Sequence, residues 1–351
     1  MKKTKLGNYI QEYSVKNKQG KEYPVYSVTN SNGFCTEYFN KDVSSKDKRN
    51  YKIVPYGCFA YNPSRINVGS IDWQHYEKNV IVSPLYVVFK CSNEINQKYL
   101  QYFFESEYGK HLINSKVSGS VRSNLKFSAM CEFELNIGTI EEQQKTIYTL
   151  DKINNLIEKE KQQLEKLDEL IKSKFNEMFG DINNREKFEH TKWTTVVSIT
   201  NGKDHKHISG SGNYAVYGTG GKMLNCKEYM CEPGTIIMGR KGTIDKPYIV
   251  YEKCWIVDTA FGVNSKSSIL NNTYLFYYIK QIDFVKLNKM ATLPSVTKND
   301  LLNLDINIPP IQLQNKFAEF VKKVDNLKMN IQKQIDLYTE LLNKKMDEYF
   351  N

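Results

Sequence analysis

Residues 140–180 read IEEQQKTIYTLDKINNLIEKEKQQLEKLDELIKSKFNEMFG, and this stretch decides the architecture. Leu150, Ile157, Leu164, Ile171 and Met178 recur every seven residues, and Ile147, Ile153, Leu167, Leu170 and Phe175 widen the stripe. Apolar residues at that period share one helix face, and a stripe sustained over several heptads marks a helix that packs on another helix. Residues 141–178 contain no Pro or Gly, and Gly180 stands where a left-handed C-cap is expected. Thirty-eight residues at about 1.5 Å each make a rod of about 57 Å.

A matching stripe lies at the other end of the chain. Val321, Ile335, Leu342 and Tyr349 keep one register, Val324, Ile331, Tyr338 and Leu341 flank it, and Lys328 interrupts it. Pro309-Pro310 marks the start, because proline suits the first turn of a helix and not its interior. Each helix packing only on its own domain would leave the heptads without a purpose; burying the two stripes against each other explains them.

Working outward, the chain is written twice. At an offset of 175, Tyr99-Leu100-Gln101-Tyr102 falls under Tyr274-Leu275-Phe276-Tyr277, Arg65 under Arg240 and Ser120-Val121 under Ser295-Val296. The offset then slips to 171, pairing Ile140-Glu141-Glu142-Gln143 with Ile311-Gln312-Leu313-Gln314. A period this long is a duplicated domain-plus-helix unit and not a solenoid repeat. Each unit opens with a region rich in Tyr, Val, Ile and Gly that carries short β-type runs, such as Asn79–Val82, Leu85–Phe89 and Thr235–Met238 after the Pro233-Gly234 turn. Aromatic helices follow near 97–114 and 272–287. The expected fold is α+β with a pseudo-two-fold duplication: mixed α/β domains at 1–138 and 185–308, each followed by a long helix at 139–180 and 309–351, the helices pairing as an antiparallel coiled coil.

Composition narrows the partners. The 351 residues include 49 Lys+Arg against 39 Asp+Glu, a net +10 whose sign suits a polyanion. Seven cysteines at irregular spacing, without a CxxC pair, fit reduced thiols in cytoplasm better than a disulfide framework or a zinc site. The N-terminal lysines are followed by no apolar core of a signal peptide, and no run of 18 apolar residues would span a membrane.

Two similar globules on a rigid spacer make a ruler for DNA, whose major-groove faces recur on one side about every 34 Å. Two domains of different sequence would read an asymmetric site. The polar loops fit this work. Lys203, His205 and Lys206 form a basic run; Thr219 and Lys222 lie in a Gly-rich loop; Arg240 and Lys241 sit between glycines directly after an expected strand, and Ser295 is the repeat counterpart of Ser120. The first half offers Asn30 and Asn32, Ser64 and Arg65, and Ser120 and Arg122. Arg and Lys can read guanine edges and Asn adenine, while Ser, Thr and backbone N–H groups grip phosphate. Any one of these clusters alone is more often a plain turn. The glycines at 218–221 lack GxxxxGK[ST] and are no phosphate loop, and His205 with His207 has no second ligand cluster, so no metal site is expected.

With these features assembled, the chain resembles the DNA-specificity subunit of type I restriction-modification systems. The resemblance is carried by Tyr214–Gly221, by Ile236–Ile244 with its Gly239-Arg240-Lys241-Gly242 turn, by Asp258-Thr259-Ala260-Phe261, and by Ile140–Lys145 and Met178–Asp181 at the two ends of the first long helix. It implies two target-recognition domains, each reading half of a split double-stranded DNA site, with paired helices that fix the gap. Those helices would dock two methyltransferase subunits, which bring S-adenosylmethionine and methylate adenine; restriction subunits can join that core. This chain itself would hold no cofactor and no catalytic residue. The first half departs from the pattern, with Asn62-Pro63-Ser64-Arg65 in place of the glycine-flanked turn.

Two other classes of protein fit the residues less well. A stand-alone amino-methyltransferase needs an Asn/Asp-Pro-Pro-Tyr-like strand end, and neither Asn62-Pro63-Ser64-Arg65 nor Ile308-Pro309-Pro310-Ile311 supplies one. A coiled-coil interaction protein without a DNA role accounts for the helices but not for two matched globules with basic loops.

Overall fold

Each globular region begins and ends at the same place. Lys3–Lys5 pairs antiparallel with Glu134–Asn136, immediately before the first long helix, and His190–Lys192 pairs antiparallel with Asp305–Asn307, immediately before the second. A domain whose two ends share a ladder can be inserted into the chain without disturbing what lies on either side. The computed structural model describes residues 3–36, 47–117, 124–184, 186–284 and 295–351. It forms two compact units, residues 1–161 with 332–351 and residues 162–331.

The first unit is built on a four-stranded antiparallel sheet in the order Ile10–Glu12, Val87–Cys91, Phe59–Tyr61, Ile71–Trp73. Phe59 and Phe89, fully buried, stack at 5.0 Å across neighbouring strands. Two further antiparallel pairs belong to this unit, the hairpin Ser27–Thr29 with Gly33–Cys35 and the long-range pair Lys52–Pro55 with Asn79–Val82. The second unit repeats the order with Val197–Asn201, Ala260–Ser265, Thr235–Gly239 and Tyr248–Val250. To this it adds a three-stranded sheet in which Ser209–Gly218 lies antiparallel to Gly221–Cys226 and parallel to Cys254–Ile256.

The expected aromatic helices are present with different ends. The first breaks into Gln97–Glu105 and Glu107–Val117, because Ser106 takes extended backbone and its Oγ accepts the Gly109 N–H at 3.0 Å, as an N-cap does. The second runs Asn272–Ile279, and residues 285–287 of the expected span lie outside the described residues.

The long helices span Ile140–Phe179 and Ile311–Phe350, and they pair. Residues of the first helix up to 161 belong with the end of the second, and residues from 162 with its beginning, so the pairing is antiparallel. In the second unit Ile171, Phe175 and Phe179 share one core with Phe317, Val321 and Val324. Lys328, which interrupts the stripe, is neutralised there by Asp168 at 2.7 Å. Leu170 and Leu341, read from the sequence as part of the seam, are instead 46% and 40% exposed. A helix drifts against a strict heptad, so the outer members of a wide stripe turn away.

One buried amide fixes each helix to its domain. Gln143, fully buried, accepts the Asn96 N–H at 2.8 Å and donates to the carbonyls of Glu94 and Gly138, both at 2.9 Å. Gln314, also fully buried, accepts the Asn271 N–H at 2.8 Å and donates to Ile269 (2.9 Å) and Pro309 (2.7 Å). The far helix ends are duplicated too. Phe179 packs edge-on against Tyr274 at 4.7 Å, and Phe350 against Tyr99 at 5.0 Å. Each domain thus holds the start of its own helix and the end of the other. Gly180, just past the first helix, has φ +76°, the left-handed cap conformation its position called for.

Candidate nucleic-acid interface

In the second unit the loops singled out by sequence converge on five residues, Ile256–Ala260. Lys203 N–H donates to the Ile256 carbonyl at 2.9 Å, and the Trp255 indole N–H donates to the Lys203 carbonyl at 3.1 Å. Gly202 N–H reaches Ala260 O at 3.1 Å; a Cβ on Gly202 would stand 1.9 Å from the Val257 oxygen, so only glycine permits this approach. Val257 N–H donates to Tyr217 at 3.0 Å, placing the hairpin tip beside the same segment. Arg240 N–H donates to Thr259 O at 2.8 Å, and Val296 N–H donates back to Arg240 O at 3.0 Å. Lys241 and Ser295 face each other as an antiparallel bridge.

The side chains at this edge are mostly free to meet a ligand. Lys203, Lys206, Lys222, Arg240 and Lys241 are exposed, and His205 and Thr219 half-buried. Arg240 lies 5.9 Å above the Phe261 ring, and one Nη1 bond at 3.5 Å reaches the Asp258 carbonyl. A guanidinium has five N–H donors, so most of its capacity remains. The Lys206 backbone N–H holds the Asp204 carboxyl below its ordinary range and so shapes the 203–207 loop as an Asx turn. Around Gly220 and Gly242 no heavy atom would lie within 4 Å of an added Cβ, so both loop tips stand in open space.

The first unit assembles fewer of its candidates. Asn30 and Asn32 are exposed on the tip between Ser27–Thr29 and Gly33–Cys35, and Arg65 is exposed on the turn after Phe59–Tyr61. The two turns adjoin: a Cβ on Gly69 would lie 3.4 Å from Asn30 Cβ. Ser64 hydroxyl already donates to Asn62 Oδ1 at 2.9 Å, a turn-forming bond that competes with any phosphate contact. Ser120 and Arg122 lie outside the described residues. Asp72, which sequence reading passed over, accepts the Phe34 and Trp73 N–H groups at 2.9 and 2.8 Å, and burial still pushes its carboxyl up. Tyr248, likewise missed, donates its hydroxyl to the Gly218 carbonyl. Neither belongs to a motif; partners 38 and 30 residues away in sequence leave no local signal.

Among the described residues no group of three or more His, Cys, Asp or Glu could hold a metal ion, and all seven cysteines are free thiols. No helix among them is long and apolar enough to cross a membrane.

Two α/β domains carried on paired long helices, the second with its basic loops gathered on Ile256–Ala260, define a class of protein that comparison identifies. A family profile described as the type I restriction modification DNA specificity domain matches twice, over residues 4–169 and 185–337, and the chain belongs to that family. Its members are the non-catalytic specificity subunits of type I restriction-modification complexes. Among relatives, the MjaVIII specificity subunit of Methanocaldococcus jannaschii is 29% identical over 119 residues, 33% of this chain and only 25% of that protein. The putative MjaX specificity subunit of the same organism is 21% identical over 93% of this chain and 90% of its own length. Among solved structures, the S subunit of M. genitalium covers 99% of this chain and 96% of its own, with 14% identity and a TM-score of 0.57. A chain from a study of complex assembly and conformational transition in a type I R-M system has the same coverage, 13% identity and a TM-score of 0.62. At such identities these likenesses speak to the fold.

Proposed function

We propose that this chain recognises a split, asymmetric site in double-stranded DNA and directs methyltransferase subunits to it. The observation that supports this best is the convergence of three exposed basic loops, at 203–206, 219–222 and 240–241, on Ile256–Ala260. In this reading residues 1–138 and 185–308 are the two target-recognition domains, and 139–180 and 309–351 the spacer. Arg240 and Lys241 read guanine edges, Asn30 and Asn32 adenine edges, Arg65 a base edge or phosphate; Lys203, His205, Lys206, Thr219, Lys222 and Ser295 hold the backbone, as do Ser120 and Arg122, and Ser64 joins them by exchanging its bond to Asn62 for one to phosphate. Leu156, Leu170, Leu327, Leu337 and Leu341, exposed on the long helices, support docking of two methyltransferase subunits there. Those subunits would carry S-adenosylmethionine; restriction subunits join the same core, in the cytoplasm.

The test is domain exchange. Replacing residues 185–308 by the corresponding domain of another specificity subunit should change one half of the methylated site and leave the other half and the gap as they were. Alteration of both halves would refute modular reading. Binding should also weaken by about 10³–10⁵ between 50 and 200 mM salt if six to ten phosphates are contacted.

A further inference from the structure

Both domains solve the same mechanical problem with different chemistry. A hairpin and an arginine turn, far apart in sequence, must present their side chains to one stretch of DNA at a fixed separation. In the second domain the hairpin tip Gly218–Gly221 belongs to one sheet, and Arg240 follows Thr235–Gly239 of another. Tyr248, whose strand pairs with Thr235–Gly239 through Ile237, sends its hydroxyl across to the Gly218 carbonyl. In the first domain the hairpin Ser27–Thr29/Gly33–Cys35 carries Asn30 and Asn32, and Arg65 follows Phe59–Tyr61. Asp72 lies on the strand paired with Phe59–Tyr61, opposite Ala60, and its Oδ2 takes the Phe34 N–H at 2.9 Å. The fit is tight: a Cβ on Gly33 would stand 2.0 Å from that oxygen. Ser70 adds a second bond, Oγ to the Val28 carbonyl at 2.6 Å.

We propose that Asp72 and Tyr248 are the positioning residues of the two half-site readers, each fastening its domain's hairpin to the strand beside its arginine turn. This rests on the reading that those hairpins and turns meet DNA. Neither side chain touches a base; each sets the distance between groups that do. Loss of the tie lets the hairpin move against the arginine turn, which relaxes base discrimination in one half-site while phosphate contacts persist.

The experiment uses the full-length chain and a pool of random-sequence DNA duplexes, selected by binding and sequenced. Tyr248→Phe should lower base preference in one half-site about tenfold and leave the other half-site and the gap unchanged. Asp72→Ala should do the reverse, and Asp72→Asn, which keeps the shape and one acceptor, should fall between it and wild type. Tyr274→Phe is the control: it removes a comparable bond, from its hydroxyl to the Asn307 carbonyl at 3.0 Å, at the base of the second domain. It should lower the melting temperature without altering preference. Equal loss in both half-sites from either variant, or a lowered melting temperature with preferences intact, overturns the proposal. Selection of no sequence by the wild-type chain would instead remove DNA reading itself, and the positioning role with it.

Discussion

Replacing Gln143 by Ala tests how the domain is held to its helix. The side chain is fully buried and makes three bonds, to Asn96 N–H and to the Glu94 and Gly138 carbonyls. Alanine leaves one donor and two acceptors without a partner. Each buried group stranded in this way costs about 1–3 kcal/mol, and a carbonyl with a second lone pair or an admitted water sits at the low end. The sum is about 3–5 kcal/mol, at the upper edge of single-residue effects. Hydrogen exchange followed by mass spectrometry localises it. Peptides around 94–105 and 138–146 should exchange faster, while 269–279, held by Gln314, stays protected. Gln314→Ala should give the mirror image. A cost below about 1 kcal/mol, or equal loosening of both segments by either variant, would show that these amides are not separate clamps.

Three further outcomes follow from named contacts. Arg240→Ala should weaken cognate DNA binding by about 1–3 kcal/mol, the worth of a bidentate guanine contact, whereas Lys161→Ala, at an exposed helix position paired with Glu158, should not; equal affinities in a filter-binding assay would take Arg240 out of the interface. Inserting four residues between Gln163 and Leu164 lengthens the first helix by about 6 Å and nearly keeps its phase, so methylome sequencing should find the same half-sites with a gap one or two base pairs longer; methylation at the original spacing alone would show that the helix is not the ruler. Burial pushes the Tyr99 and Tyr248 hydroxyls up to about 12, well above an ordinary phenol. A folded pKa raised above the unfolded one gives stability that is whole below about pH 10 and is lost as pH rises toward 12. Absorbance titration should therefore show these two tyrosines ionising late and together with unfolding, and early ionisation in the folded chain would contradict their burial.

The heptads of 140–180 and 311–350, the repeat and the cap at Gly180 were legible because their physics is local: helix period, absence of Pro and Gly, and a glycine free to take positive φ. The repeat also set Gln143 over Gln314 by order alone, and the structure gives the two amides the same three bonds. Tertiary structure decided the rest. Leu170 and Leu341 share the helical period with their buried neighbours, yet packing left them in solvent. Ser64 and Thr219 look alike as turn residues, but Asn62 occupies the Ser64 hydroxyl. Arg240, Lys203 and Tyr217 lie in separate motifs, and nothing in their spacing says that all three backbones hydrogen-bond to Ile256–Ala260. Asp72 and Tyr248 belong to no pattern whatever. A strand's alternation tells which face a residue occupies but not which strand pairs beside it, and a hydrogen bond across dozens of residues exists only after that pairing is made.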